Sequence, residues 1–302
     1  MVTGAAGFLG AALAERLAAS GARVIGIDVA GRVGSGAGES IRLDVLDADA
    51  LCAAFVDLVG DDAPSAVVVH LMGRGHVGVC RDDPLGAVAL NVIGTTNVLE
   101  ACRKAGVRRV VFPSSALVYR LPARSPIGED APVAPRSIYA ATKLACEALL
   151  QAYAVEYGLS CTVARLGNVY GRGAAADSIA SIVMRQAIAG GPVVVETLAP
   201  VRDFIYRDDV VSGLMALATS TETSGFRLVN LSSGVPTSIR ELAETACAVA
   251  GVRAKPIERS SSPGAARDSV VLSIERMTTC TGWTPTFSLR AGLRATLADG
   301  GG

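Results

Sequence analysis

Tyr139-Ala140-Ala141-Thr142-Lys143 places a phenol and an ammonium four residues apart, so on a helix the two side chains share a face. A cation beside a phenol favours the phenolate. Bringing a tyrosine from about 10 toward neutrality takes roughly 3 pH units, or about 4 kcal/mol of differential interaction. In isolation the pair also reads as an ordinary surface contact. Upstream, the apolar run Val107–Phe112 ends in Pro113-Ser114-Ser115. A hydroxyl at the carboxyl end of a strand faces the ligand crevice of an open α/β sheet, where it can donate to a substrate oxygen. Alone, a serine pair there equally closes backbone bonds at a strand end.

These residues need a partner that carries the rest of the chemistry, and the first ten residues indicate one. Thr3-Gly4-Ala5-Ala6-Gly7-Phe8-Leu9-Gly10 spaces three glycines by three, with the helix-like run Ala11–Ala19 behind it. Gly4 suits the tight turn out of a strand and Gly7 lets backbone approach a pyrophosphate. Gly10 lets helix and strand pack closely, with phosphate on the helix N-terminus near Phe8 and Leu9. The second apolar run, Arg23–Ile27, ends in Asp28, close to the offset of about 20 residues for an acid on a ribose. A carboxylate there accepts from both ribose hydroxyls and repels a 2′-phosphate. The expected cofactor is therefore NAD, whose positive nicotinamide ring would act with Lys143 to lower the phenol; Arg32 keeps NADP as the lesser alternative, and a strand-end cap is the plain one.

Composition narrows the class. The 302 residues suffice for one large α/β unit with a smaller lobe. Half are hydrophobic and 19% are charged; 28 acids balance 28 bases. That balance gives no electrostatic case for nucleic acid or an anionic membrane. Seven cysteines without a CxxC pair suit reduced thiols in a cytoplasm. With only two histidines, His70 and His76, no metal site is expected. No signal peptide and no stretch of membrane-spanning length is expected. Just Met1 and Val2 precede the glycine motif, whereas a first parallel strand ordinarily runs about five or six residues. Either that strand is unusually short or the natural start lies upstream.

The elements that must position these groups alternate. Strands are expected at 23–27, 40–43, 66–71, 107–112 and 161–165, and helices near 8–19, 47–58, 84–105 and 137–156. Such alternation means a parallel sheet covered by helices on both faces. Residues 31–38 read as a loop. Residues 120–135, with four prolines, read as a loop beside the site. Beyond about residue 171 short strands mix with helices such as 238–250, giving a smaller second lobe and a frayed tail at 300–302.

Together these pieces resemble the extended branch of the short-chain dehydrogenase/reductase superfamily, the NAD-dependent epimerase/dehydratase family, over nearly the whole chain. The opening octet is similar to its TGxxGxxG and Asp28 to its ribose acid. Asp44-Val45 resembles its adenine contact, His70-Leu71-Met72-Gly73 the loop after the fourth strand, and Asn91-Val92-Ile93-Gly94-Thr95 its N-V-x-G-T helix. Ser115, Tyr139 and Lys143 fall on the catalytic Ser, Tyr and Lys. Arg165 to Gly171 resembles R-x-x-N-x-Y-G. Arg202-Asp203-Phe204 with Asp208-Asp209-Val210 resembles R-D-F-x-x-x-x-D-V, and Gly282-Trp283-Thr284-Pro285 its closing G-W-x-P.

The resemblance implies a doubly wound parallel sheet of Rossmann, extended type over 1–170, with 203–232 returning to it. A smaller α/β substrate lobe would follow over 171–302. It implies NAD held by Gly4, Gly7, Phe8, Leu9, Asp28, Asp44, Val45, Leu71, Gly73, Asn91, Tyr139 and Lys143. It implies a nucleotide sugar met by His76, Ser115, Asn168, Arg202 and Arg267, and a homodimer through helices near 84–105 and 137–156. Three departures matter. Ser262-Pro263-Gly264-Ala265 stands where many members carry R-P-G-D, leaving Arg267 to compensate. Ala116 and Leu117 replace the Asp-Glu pair of sugar dehydratases, which argues against 4,6-dehydration. The loop Arg74–Cys80 is its own, with Cys80 in place of a usual serine and more simply read as a buried thiol. The expected activity is transient-hydride epimerisation of a nucleotide sugar. Three alternatives stand beside it: a reductase of a keto nucleotide sugar, GDP-linked if the run Leu198–Phe204 is followed; a dehydrogenase of a small alcohol or ketone; and a non-catalytic NAD sensor.

Overall fold

Short runs rich in Val and Ile, each closed by a glycine, an acid or a serine, form the strands that carry the site. The computed structural model describes residues 1–31, 38–220, 225–253, 255–259 and 269–298. In chain order the first six strands are β1 (Val2–Thr3), β2 (Ile25–Asp28), β3 (Glu39–Arg42), β4 (Val67–His70), β5 (Arg109–Ser115) and β6 (Ser160–Leu166). With Phe226–Leu231 they form one seven-stranded sheet, ordered 226–231, β6, β5, β4, β1, β2, β3. The pairs β1–β2, β1–β4, β2–β3 and β4–β5 are parallel. Strand order reverses between β1 and β4, the crevice where open α/β sheets bind ligands. β1 is as short as its two leading residues predicted, and Val69 N–H donates to Met1 O at 2.9 Å beside it.

Helices cover the sheet. Gly10–Ala19 follows β1 and Ala48–Val59 follows β3. Pro84–Ala105 precedes β5, and Ile138–Tyr157 precedes β6. Ile27, Phe55, Leu99, Phe112, Leu150 and Val163 interlock in one core cluster. The 22 residues of Pro84–Ala105, which contain an 18-residue window of mean hydropathy 1.3, are long and apolar enough to cross a membrane by length and composition. That corrects the expectation that no stretch reaches this length. The apolar composition has a use inside the unit, where Val98, Leu99, Ala101 and Cys102 are buried in the core.

The chain divides into two units: Met1–Tyr119, Val133–Arg165 and Val211–Val229 form the first, and Arg120–Pro132, Leu166–Val210 and Asn230–Gly302 the second. The return of a segment within the expected 203–232 is seen as Val211–Val229, while the break falls after Arg165 rather than 170 and Arg120–Pro132 joins the second unit. Strands Asn168–Tyr170 and Val201–Tyr206 pair in parallel, Asn168 opposite Phe204, and so stay together in the second unit. Arg120–Pro132 joins them because Ile127 N–H donates to Val271 O at 2.7 Å. In the second unit, Val201–Tyr206 also pairs antiparallel with Pro236–Ser238 and parallel with Ser269–Val270. Helices Ile179–Ile188 and Ile239–Val249 pack their apolar faces into its core. Loop residues 32–37, the segment Ser262–Ala265, Arg267 and the tail 300–302 lie outside the described residues.

Candidate active site

Gly4 turns the chain out of β1 at φ +69°, and a Cβ there would lie 2.7 Å from Met72 N. A Cβ on Gly10 would collide with Gly4 O, so only glycine lets helix Gly10–Ala19 start this close to the turn. Gly7 is exposed, and Phe8 and Leu9 are half-exposed. Among the described residues no side chain caps the helix, and no acid stands in its first turn. Its N-terminal dipole is thereby open to an anion. Asp28 is buried rather than capping a strand end in solvent. Its Oδ2 accepts from Ala6 N–H at 3.1 Å and its Oδ1 from Ala30 N–H at 3.0 Å. The carboxylate is thus fixed against the glycine turn, with lone pairs left for ribose hydroxyls. Glycine turn, uncapped helix and oriented acid together fit a dinucleotide.

The other expected cofactor contacts divide. Leu71 and Gly73 follow β4 and are half-exposed. Asp44 is exposed, and its Oδ1 accepts from Leu46 N–H at 2.9 Å. The Val45 side chain is fully buried in the core cluster, which leaves its backbone for an adenine contact. Its carbonyl is taken by Asn97 Nδ2 at 2.9 Å. The Asn91 side chain is engaged within the protein. It is buried in a π-turn over Ala89–Ile93 and donates through Nδ2 to Arg74 O and to Thr142 Oγ1. Its Oδ1 accepts from Arg74 N–H at 2.7 Å. Asn91 therefore clamps the loop after β4 to helix Ile138–Tyr157.

Ser115, Tyr139 and Lys143 come together. Ser137 caps the helix by accepting from Ala140 N–H at 3.2 Å, so Tyr139 and Lys143 occupy its first two turns. Ser115 ends β5, accepts from Leu117 N–H at 3.2 Å and hydrogen-bonds Tyr139. Lys143 Nζ donates to Pro113 O at 2.9 Å and sits 4.4 Å from the Phe112 ring centroid. The tyrosine is not activated as it stands. Burial pushes its phenol up to about 12, against the pull of Ser115 and helped by nearby Cys80. Burial also lowers Lys143, which Cys146, Cys80 and Glu147 partly hold up. Desolvation dominates this phenol; its expected activation draws on Lys143 together with the positive nicotinamide ring of bound NAD.

Around this cluster His70 is buried, its Nδ1 sharing a hydrogen bond with Thr3 Oγ1 at 2.6 Å and its Nε2 with Thr95 Oγ1 at 3.0 Å. Burial, with Lys143, lowers it to about 3, so it is neutral scaffold. His76 begins helix Val77–Asp82 and is half-buried. Cys80 is fully buried and its Sγ donates to Arg74 O, in keeping with the plainer reading of that thiol. Sequence reasoning names Ser114 and Arg165 but passes over Glu147, which joins them. Glu147 is buried four residues beyond Lys143, accepting from Ser114 Oγ and pairing with Arg165. The signal for Glu147 in the chain is that four-residue step.

In the second unit Asn168 and Arg202 line one pocket of about 400 Å³. Its walls are Ile179, Ile182, Val194, Pro200 and Ile239; Gln186, Glu196 and Arg259 add polar groups. Gln186 is engaged, its amide bonding Val194 N–H at 2.7 Å and Val194 O at 3.1 Å. Arg259, unremarked in the sequence, pairs with Glu196 at 3.5 Å. A slot of mixed polar and apolar walls with guanidinium groups suits a flat ring joined to an anion.

Residues 1–231 match the NAD dependent epimerase/dehydratase family. The chain is 35% identical to a UDP-glucose 4-epimerase of Mycolicibacterium smegmatis, covering 98% of this chain and 96% of that protein. The crystal structure of a Thermotoga maritima UDP-glucose 4-epimerase with UDP-glucose superposes with a TM-score of 0.87 at 26% identity, covering 98% of this chain and 96% of that one. A Thermus thermophilus UDP-glucose 4-epimerase complexed with NAD gives 0.84 at 29% identity, covering 98% and 97%. The chain belongs to the NAD dependent epimerase/dehydratase family.

Proposed function

We propose that this protein is an NAD-dependent nucleotide-sugar epimerase, with UDP-glucose and its 4-epimer as the first pair to test. The observation that carries the reading is the meeting of Ser115, Tyr139 and Lys143 at the carboxyl end of β5, in the unit that holds the glycine turn and Asp28. NAD bound there supplies a reversible hydride acceptor. Tyr139 takes the proton of the sugar hydroxyl and later returns it. Ser115 hydrogen-bonds the sugar oxygen as it gains carbonyl character, and Lys143 keeps a positive charge one helical turn from the phenol. Asp28 favours NAD over NADP because its carboxylate repels a 2′-phosphate. Asn168 and Arg202 suit the diphosphate of the substrate, and Ala116-Leu117 leave no acid–base pair for water elimination.

The wider expectations are proposals of the same kind. The protein is read as a homodimer, since Leu85, Val88 and Ile93 on one expected interface helix, and Val155 and Tyr157 on the other, are exposed. A cytoplasmic location is supported by seven free thiols. No nucleic-acid or membrane partner is proposed.

Denaturing the purified protein and identifying what leaves it tests the cofactor. Stoichiometric NAD, with UDP-glucose converted to UDP-galactose without added cofactor, is the expected result. Turnover that depends on added NADPH would transfer the assignment to a reductase. If no nucleoside diphosphate among UDP, GDP, TDP and CDP raises the melting temperature, the nucleotide-sugar reading fails. Tyr139→Phe removes the proton carrier and should abolish turnover while leaving NAD bound.

A further inference from the structure

The Glu147–Arg165 pair lies inside the first unit, with side chains only 6% and 5% exposed. Arg165 Nε donates to Glu147 Oε1 at 3.0 Å and Nη2 to Oε2 at 2.6 Å. The same Oε1 accepts from Ser114 Oγ at 2.5 Å. The guanidinium carbon sits 4.6 Å from the Tyr119 ring centroid. Buried ion pairs of this kind are weak stabilisers, because desolvating two charges offsets most of their attraction. Stability alone therefore does not account for this one, and its location does.

Helix Ile138–Tyr157 grips the end of β5 twice in register. Lys143 holds Pro113 O, and Glu147, one turn on, holds the hydroxyl of Ser114. Successive side chains of a strand point to opposite faces. Fixing Ser114 toward Glu147 therefore turns Ser115 the other way, toward Tyr139, with which it hydrogen-bonds. Arg165, from β6, sets where the Glu147 carboxylate lies.

We propose that Glu147 and Arg165 are positioning residues: acting through Ser114, they hold Ser115 in line with Tyr139 and keep the strand end in register with Lys143. The inference rests on the reading of Ser115, Tyr139 and Lys143 as the reacting set. It predicts a catalytic defect that survives when the stability defect is repaired.

The decisive variant is Glu147→Met with Arg165→Met, which removes both charges together and leaves the net charge unchanged. Melting temperature should stay near the wild-type value, because apolar residues of similar volume replace such pairs without loss. On UDP-glucose, kcat should fall at least tenfold with KM and NAD affinity within threefold. Ser114→Ala, which buries no unpaired charge, should cut kcat by a smaller factor in the same direction and serves if the double variant does not fold. Recovery of wild-type kcat in a folded double variant, or no effect of Ser114→Ala, would overturn the proposal.

Titration of Tyr139 in the NAD complex, by absorbance difference against Tyr139→Phe, reads the same geometry without turnover. The groups acting on this phenol are Ser115 from β5 and Cys80 from helix Val77–Asp82, with Lys143 one turn along its own helix. Of these, only the Ser115 bond depends on Ser114. Its loss in the double variant should raise the phenol pKa by about one pH unit; an unmoved pKa counts against the proposal. If wild-type protein leaves UDP-glucose unchanged, the epimerase reading fails there while this titration still decides the positioning role.

Discussion

Two buried carboxylates hold functional residues in the two units, and they do it by opposite means. Asp203, beside Arg202 in the second unit, collects donors from loops. Ser233 N–H and Oγ reach it at 2.9 and 2.6 Å, and Gly234 and Leu272 N–H at 3.1 Å each. Glu147, beside the reacting set of the first unit, meets side chains: one hydroxyl and one full positive charge. Dipoles arranged around an anion belong to the chain's own backbone and cannot be mutated away. A counter-ion can. The difference decides what each site tolerates.

Asp203→Ala should therefore be the most damaging change. It orphans three backbone N–H groups, each costing about 1–3 kcal/mol, so roughly 5 kcal/mol of stability should vanish, measured by urea denaturation. No second substitution should rescue it, because the abandoned partners are backbone. Wild-type stability in Asp203→Ala would end the comparison. Glu147→Gln comes next. It strands Arg165 in the core, and breaking a buried pair from one side costs roughly 3–5 kcal/mol. Here a second change that neutralises Arg165 should recover most of that loss.

His70 offers a milder test inside the first unit. It is buried with both ring nitrogens bonded to threonines, and burial holds its pKa down from the usual 6.5 to about 3. The unfolded chain takes up the proton first. Its contribution is therefore whole above pH 6.5 and shrinks as the pH falls toward 3, at about 1.4 kcal/mol per pH unit, or about 2 kcal/mol by pH 5. His70→Gln should flatten that part of the stability–pH curve. A curve equally steep in both proteins would show that His70 is not the group responsible.

Much of this molecule is legible in its residues alone. The alternating runs announce the sheet, because strands buried on both faces carry continuous Val and Ile. Gly4, Gly10 and Asp28 are readable because a turn, a close approach and a fixed acid each demand one residue type. Glu147 is not. A glutamate within a mostly apolar helix reads as a point on its solvated face, and its partner stands eighteen residues on, in a different element. Asn91 is recognisable by pattern, but its bonds to Arg74 and Thr142 are not, since sequence does not show the π-turn that aims it there. The unit boundary is hidden for a related reason: Asn168–Tyr170 follows β6 directly but pairs with Val201–Tyr206. The height of the phenol pKa is hidden because a Lys four residues away is visible in sequence and burial is not.

The smallest expected effect lies in the second unit's pocket, where two arginines with different surroundings share one wall. Arg202 stands on strand Val201–Tyr206 next to the Asp203 knot, its Nη1 donating to Val201 O at 2.9 Å, so its guanidinium is held before any ligand arrives. Arg259 is two-thirds exposed and faces Glu196, itself three-quarters exposed, at 3.5 Å. Water and salt screen such a pair, and a side chain that must be ordered on binding contributes less than one already in place. Calorimetric titration with UDP should give a loss of about tenfold or more for Arg202→Ala, the scale of one charge-assisted hydrogen bond. Arg259→Ala should lose less than about threefold, and that loss should disappear in high salt. A larger loss for Arg259 than for Arg202 would mean that prior fixation by the Asp203 knot does not decide which arginine grips the ligand.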